Sequence, residues 1–289
     1  MSYRILSFNL RTSTANDGKH NWVNRQAHVI TEIRLVNPDV MGLQEVTHEM
    51  RVYLEEHLPD YSFIGKGRDD GHEAGEYTAI FYRSSQFNLI NSGHFALSET
   101  PEQIGTFGWD AGCIRIASWV ILEDKIDRKR FFFLNTHTDH EGVIAREESS
   151  LLLREQADRH SQGLPVIITG DFNASPDALS IRLLTAEPAQ FENLAADNAD
   201  RLAKLNAAGI QLHDLRSQIG TGQLGPTFTF HDFKLPELLQ NPGKSRYVDI
   251  IDYVFATKDV DCTLYVASTN MHAELCISDH LPIIADVLL

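Results

Sequence analysis

The stretch Pro165-Val166-Ile167-Ile168-Thr169-Gly170-Asp171-Phe172-Asn173 is a compact apolar run of strand length that stops on a glycine, a carboxylate and an amide. A buried strand with a polar end can hold chemical groups on a rigid scaffold, so the same pattern elsewhere carries information. It recurs. Asn9 follows Ile5-Leu6-Ser7-Phe8, Gln44-Glu45 follows Val40-Met41-Gly42-Leu43, and His137 follows the run Phe131 to Thr136. Ser278-Asp279-His280 adds two more polar groups near the C-terminus.

Between these runs, Trp22 to Val36 places Val23, Ala27, Ile30 and Ile33 or Val36 at helical spacing before Asn37-Pro38. Thr47 to Leu58 reads as a helix stopped by Pro59, and Val143 to Ser161 as another. Tyr77 to Tyr82, Phe87 to Phe95, Ile114 to Leu122, Tyr247 to Ala256, Thr263 to Ala267 and Leu281 to Leu288 read as further strands. Strands and helices alternate without a strict βαβ period. The pattern therefore predicts an α/β chain of the α+β type, with two sheets packed together and covered by helices. Ala189 to Ser245, interrupted by Gly220, Gly222, Gly225, Pro226, Pro236 and Pro242, is expected to form loops over one edge of a single domain spanning residues 1–289.

Composition narrows the partners. Lys and Arg number 25 against 40 Asp and Glu, a formal charge of −15 that disfavours sequence-independent tracking of a polyanion. Cys113, Cys262 and Cys276 form no C-x-x-C pair and read as free thiols. No secretory signal and no membrane-length apolar run is present, so a cytoplasmic protein with no membrane partner is expected.

Taken together, the strand-end residues supply oxygen ligands for a hard cation and two imidazoles for proton traffic or charge stabilisation. Each alone could be a turn or a helix cap. In order along the chain, however, Phe8-Asn9, Leu43-Gln44-Glu45-Val46, Asn135-Thr136-His137, Gly170-Asp171-Phe172-Asn173, Ile251-Asp252-Tyr253-Val254-Phe255 and Ser278-Asp279-His280 resemble the endonuclease/exonuclease/phosphatase superfamily. The resemblance spans nearly the whole chain and implies a four-layer αββα sandwich of two mixed sheets flanked by helices, with the site at one end of the sheets. Within that superfamily, Leu97 to Pro101 and Gly108 to Ala111 resemble a largely uncharacterised, mainly bacterial branch.

The resemblance implies Glu45 as the principal metal ligand, with Asn9 and Asp279 near the ion. Oxygen donors favour Mg2+, with Mn2+ as the substitute. It further implies that Asp171 and Asn173 position the attacking water and that Arg115 grips a phosphate oxygen. His137 is expected to pair with Glu76 and His280 with Asp252, because an acidic neighbour raises imidazole basicity and fixes its orientation. Asp249 is read as a surface carboxylate. Trp109, Asn135 and His140 are candidates to touch substrate. A small phosphorylated molecule is the expected substrate, DNA or RNA cleavage is the alternative, and a module that only binds a phospho-ligand is the third reading.

Overall fold

The computed structural model describes residues 2–195, 198–240, 249–269, 271–272 and 275–289. Among them the strands are β1 (Ser2–Asn9), β2 (Val40–Val46), β3 (Tyr61–Ile64), β4 (Tyr77–Arg83), β5 (Phe87–Ala96), β6 (Ile116–Asp124), β7 (Arg130–His137), β8 (Val166–Asp171), β9 (Leu212–Asp214), β10 (Asp252–Thr257), β11 (Asp261–Ala267), β12 (Met271–His272), β13 (Leu275–Cys276) and β14 (Ile283–Leu288). They form two six-stranded sheets, ordered β11-β14-β1-β2-β4-β3 and β5-β6-β7-β8-β10-β9. The pair β12-β13 stands apart from them. Both sheets are mixed, since β1 and β2 run parallel, as do β7 and β8, while their other neighbours are antiparallel.

Side chains alternate between the two faces of each strand. Ile5, Val40, Val120, Phe133, Ile167 and Val254 meet between the sheets in one buried cluster. The neighbouring residues Leu6, Phe8, Met41 and Leu43 face outward onto Ile30 and Ile33 of α1 (Trp22–Val36) and Met50 and Leu54 of α2 (His48–His57). On the second sheet, Phe132, Leu134 and Ile168 pack against Leu153 and Ala157 of α3 (Val143–Ser161) and Ile181 and Leu184 of α4 (Leu179–Thr185). The result is the helix–sheet–sheet–helix sandwich expected from the sequence.

The stretch 189–245 departs from expectation. Instead of loops it carries the short helices α5 (Phe191–Leu194), α6 (Ala199–Ala207), α7 (Leu215–Ile219) and α8 (Leu235–Gln240), and β9, which extends the second sheet by pairing with β10. The helices are short enough that glycine and proline punctuation hides their period. Leu205 of α6 nevertheless buries itself beside Leu151 and Leu183. Residues 241–248, including the expected strand start at Tyr247, lie outside the described residues.

Gly42 fixes how closely the sheets approach below their polar end. A Cβ there would fall 2.1 Å from Thr169 Oγ1 and 2.6 Å from Asn135 Oδ1. Only a residue without a side chain fits between these two polar groups.

Candidate active site

The inner faces of the central strands change character along their length. On β7, Phe131 and Phe133 belong to the inter-sheet core, and the next residues on that face are Asn135 and then His137. On β8 the same face runs Ile167, Thr169, Asp171, and on β1 it runs Ile5, Ser7, Asn9. Register aligns the ends: His137 lies opposite Asp171, and Asp171 opposite Asp252. The sheet ladders thus assemble the site.

A polar layer separates the core from these ends. Asn135 donates to the carbonyls of Leu43 and Ala79 at 2.9 and 3.0 Å, and its Oδ1 accepts from Gln44 Nε2 at 2.7 Å and from Thr169 Oγ1 at 3.2 Å. Fully buried and with both ends of its amide engaged, Asn135 stitches the sheets together and has no capacity left for substrate. This corrects its expected role.

Glu45 reaches the site through a backbone irregularity. Gln44 faces inward, so a regular strand would turn Glu45 outward. The register instead shifts between Leu43 and Val46, and Glu45 adopts a left-handed φ of 58°. Its carboxylate then accepts from Asn9 Nδ2 at 2.9 Å and from the Thr12 backbone N–H at 2.8 Å. Burial opposes ionisation here, but the Asn9 hydrogen bond and the charge of His280 outweigh it and hold the carboxyl below its ordinary pKa. Asn9 also donates to Asp171 Oδ2 at 2.9 Å, while its Oδ1 accepts the Arg11 N–H at 2.9 Å. Asn9, expected near the ion, is a bridge that orients two carboxylates, with its oxygen facing the Arg11 backbone N–H.

Asp171 lies between the two histidines, with Oδ2 3.5 Å from His137 Nε2 and 3.6 Å from His280 Nε2. Burial and the neighbouring charge of Asp252 push its carboxyl up to about 7, against the opposing effect of His280. The imidazoles differ sharply. His280 Nδ1 is 2.8 Å from Asp252 Oδ2, and although burial disfavours its charge, Asp252 and Asp171 drive its pKa well above the ordinary value. His137 is pushed well below it, first by burial and then by Arg115 and Arg68. Asn173 Nδ2 lies 3.0 Å from His137 Nε2 and also donates to the Thr138 carbonyl at 3.1 Å, which fixes the ring's position. The left-handed φ of 45° at Asn173, a conformation asparagine tolerates, also lets its N–H reach Asp171 Oδ1 at 3.0 Å.

The expected pairing of Glu76 with His137 is not formed. Glu76 Oε2 binds Arg68 Nη1 at 2.5 Å and lies 4.0 Å from Arg115 Nη1, since two guanidiniums are nearer than the imidazole. Trp109 is also displaced from its expected place. Its N–H is held by Glu99, at 3.1 Å to Oε2, and its side chain lines a separate hollow with Pro101 and Leu152. His140 does reach the rim, 3.3 Å from Arg115 Nη2.

A cavity of about 420 Å³ is lined by Glu45, Glu76, Arg115, His137, His140, Asp171, Asn173, Asp279 and His280. Asn9 and Asp252 sit behind it through the hydrogen bonds already given. Arg11, Thr12, Arg68, Phe230 and Asp232 line the same cavity and were not read from the sequence. They lie on loops with no strand-end signature. Asp139 is another omission: its carboxylate accepts the N–H groups of Gly112, Cys113, Glu141 and Gly142 and ties the Arg115 loop to the end of β7.

The donor set suits a hard divalent cation. Oxygens of Glu45 and Asp171 lie within 4.8 Å of one another and of a His137 nitrogen, and Asp279 shares the cavity. Burial, together with the charge of Glu45, raises the Asp279 carboxyl despite the opposing charges of His280 and of Arg11, whose Nε lies 3.7 Å away. A bound cation would favour the ionised form of this carboxylate.

Comparison with known proteins places the chain in a family. A family model described as the Endonuclease/Exonuclease/phosphatase family matches residues 6–280. An endonuclease/exonuclease/phosphatase structure from Bacteroides vulgatus is 32% identical with a TM-score of 0.84, covering 100% of this chain and 99% of that one. A mannosyl-6-phosphatase from Bacteroides thetaiotaomicron is 28% identical with a TM-score of 0.80, covering 99% of this chain and 100% of the other. Nocturnin of Rattus norvegicus is 27% identical over 199 residues, a match spanning 60% of this chain and only 44% of that relative.

Proposed function

The chain belongs to the endonuclease/exonuclease/phosphatase family of phosphoester hydrolases, and from that premise we propose that it hydrolyses a small phosphorylated molecule with the help of Mg2+ or Mn2+. The observation that carries the reading is the placement of Asp171 between His137 and His280, in a cavity that also holds Glu45 and Arg115. Phosphoryl transfer needs an in-line water, charge neutralisation on the phosphoryl oxygens and help for the leaving oxygen. Asp171, fixed by Asn9 and by the Asn173 N–H, would orient the water. Arg115 and protonated His280 would face the developing charge, and Asp252 keeps His280 charged and aimed.

Glu45, Asp279 and Asp171 would hold the metal, with Asn9 behind them. When bound, the cation would supply Lewis-acid stabilisation of the phosphoryl oxygens. Three things favour a small substrate: the cavity volume of about 420 Å³, the formal charge of −15, and the likeness to a mannosyl-6-phosphatase. Nucleic-acid cleavage is the second reading, because the family also contains nucleases.

The test is turnover with Mg2+ or Mn2+ across sugar phosphates, nucleotides, phosphodiesters, phospholipid headgroups and short oligonucleotides. Sugar phosphates or other small monoesters should lead. No metal-dependent turnover of any of them would sink the proposal.

A further inference from the structure

We propose that Arg68 and Arg115, which flank the Glu76 carboxylate, form a two-guanidinium clamp that selects the dianionic phosphate of a monoester over the monoanionic phosphate of a diester. The proposal rests on the hydrolase reading above and adds the substrate class that reading leaves open.

Arg68 sits in a preformed loop. Its backbone N–H bonds the Glu76 carbonyl at 3.0 Å, and the neighbouring Gly67 N–H bonds the His72 carbonyl at 3.0 Å. A Cβ on Gly67 would come within 2.3 Å of the Ala74 carbonyl oxygen, so the loop closes tightly on itself. Through this closure Arg68 Nη1 meets Glu76 Oε2 at 2.5 Å, the same oxygen that lies 4.0 Å from Arg115 Nη1. One carboxylate thus sits between two permanent positive charges, with Asp69 Oδ1 3.9 Å from Arg68 Nε and Asp139 Oδ2 3.9 Å from Arg115 Nε on their outer sides.

Both guanidiniums line the catalytic cavity with donors to spare. Arg115 is 6% exposed, and its Nε and Nη1 make no hydrogen bond among the described residues. Its neighbour Asp139 is already engaged by four backbone N–H groups. Buried donors without acceptors are costly unless a ligand completes them. Phosphate oxygens match a guanidinium fork in shape and charge.

Arg68 also lines a second hollow of about 600 Å³ that shares Thr12 and Glu76 with the catalytic cavity. It therefore stands where the phosphate gives way to the rest of a substrate. A monoester carries a charge of roughly −1.5 to −2 near neutral pH and three terminal oxygens. A diester carries one charge and two such oxygens, which leaves the second guanidinium without an acceptor. In the reaction, water forms the new P–O bond and the ester P–O bond breaks. One proton ends on the leaving oxygen, and the products are an alcohol and inorganic phosphate.

The test compares p-nitrophenyl phosphate with its methyl ester on the Mg2+-loaded enzyme, since the pair shares a leaving group and differs by one charge. Arg68→Ala should lower kcat/KM for the monoester by roughly a hundredfold, the scale of one lost electrostatic contact, and change the methyl ester by less than about threefold. Arg68→Lys should recover part of the monoester rate, because it restores charge without the fork. Inorganic phosphate should inhibit wild type competitively and lose affinity in both variants, a readout that a folding defect, checked by thermal melting, does not imitate. Equal losses on both substrates, or a wild-type preference for the methyl ester, would overturn the clamp. Absence of turnover on either substrate and across the wider screen would instead sink the hydrolase reading on which the clamp rests.

Discussion

His280 Nδ1 lies 2.8 Å from Asp252 Oδ2, while Nε2 on the far side of the same ring looks toward Asp171 Oδ2 at 3.6 Å. One carboxylate therefore orients the imidazole and keeps its proton, and the other marks where that proton faces the cavity. Asp252→Asn keeps the shape and removes the charge. It should lower kcat by roughly 10²–10⁴-fold, the range of a positioned acid or base, with a thermal midpoint close to wild type. A kcat within about threefold of wild type would remove His280 from the chemistry.

Chelation gives a second expectation. Excess EDTA should abolish turnover, and added Mg2+ or Mn2+ should restore it, because Glu45 and Asp171 offer clustered carboxylate oxygens suited to a hard cation. Glu45→Gln should remain inactive at metal concentrations that saturate wild type. Full activity of that variant in metal-stripped buffer would show that Glu45 holds no catalytic cation.

Much of this arrangement was legible before the structure. Asn9, Glu45, His137, Asp171, Asp252 and His280 stand at strand ends or next to them, where an apolar run signals its own termination. What alternation could not show was depth: Asn135 and His137 share a face, yet two residues separate a saturated inter-sheet amide from a cavity wall. Arg68 was missed because its position depends on loop closure back onto Glu76, which leaves no periodic trace. Trp109 misled because nearness in sequence to Arg115 does not survive the intervening turn, where Trp109 takes a φ of 47°.

The inter-sheet approach at Gly42 leads to a stability prediction. Gly42→Ala places a methyl 2.1 Å from Thr169 Oγ1, so the sheets must part or the Thr169–Asn135 contact must break. Overpacking of this kind costs about 1–3 kcal/mol. A lowered urea midpoint should result, with reduced activity because the same layer supports the strand ends. An unchanged midpoint would mean that the sheets tolerate a wider separation.

His94 should contribute to acid sensitivity. Burial, followed by the charge of Lys66, lowers its pKa from 6.5 to about 4, and its Nδ1 lies 3.0 Å from Ser118 Oγ. The folded state therefore binds fewer protons than the unfolded chain between about pH 6.5 and 4, and stability falls as pH drops through that window. Above pH 6.5 both states are neutral at this position and the effect vanishes. His94→Gln should flatten the curve, with wild type losing up to about 2 kcal/mol more than the variant between pH 7.5 and 5.0. Parallel urea titrations at the two pH values provide the measurement, and identical losses would assign the acid limb to other groups.

Nucleic acid should be a poor substrate, and the second hollow supplies a reason that net charge alone does not. Its wall carries Glu49, Asp69, Glu73 and Glu76 beside the hydroxyls of Thr12, Ser13, Thr14 and Thr47. A phosphate chain leaving the catalytic cavity on this side would pass four carboxylates against the single guanidinium of Arg68 and the imidazole of His48, whereas a neutral polyhydroxylated group would find hydrogen-bond partners. Small monoesters should thus be cut with far higher kcat/KM than oligonucleotides, and plasmid DNA should survive long incubation. Salt separates the readings independently. A protein making six backbone contacts loses roughly 10³-fold in affinity between about 50 and 200 mM salt, while a small ester held by Arg115, Arg68 and a metal should respond weakly. Efficient, steeply salt-dependent cleavage of DNA or RNA by enzyme freed of contaminating nucleases, abolished in His137→Ala, would establish the nuclease reading. It would do so without altering the hydrolytic chemistry assigned to Asp171 and His280.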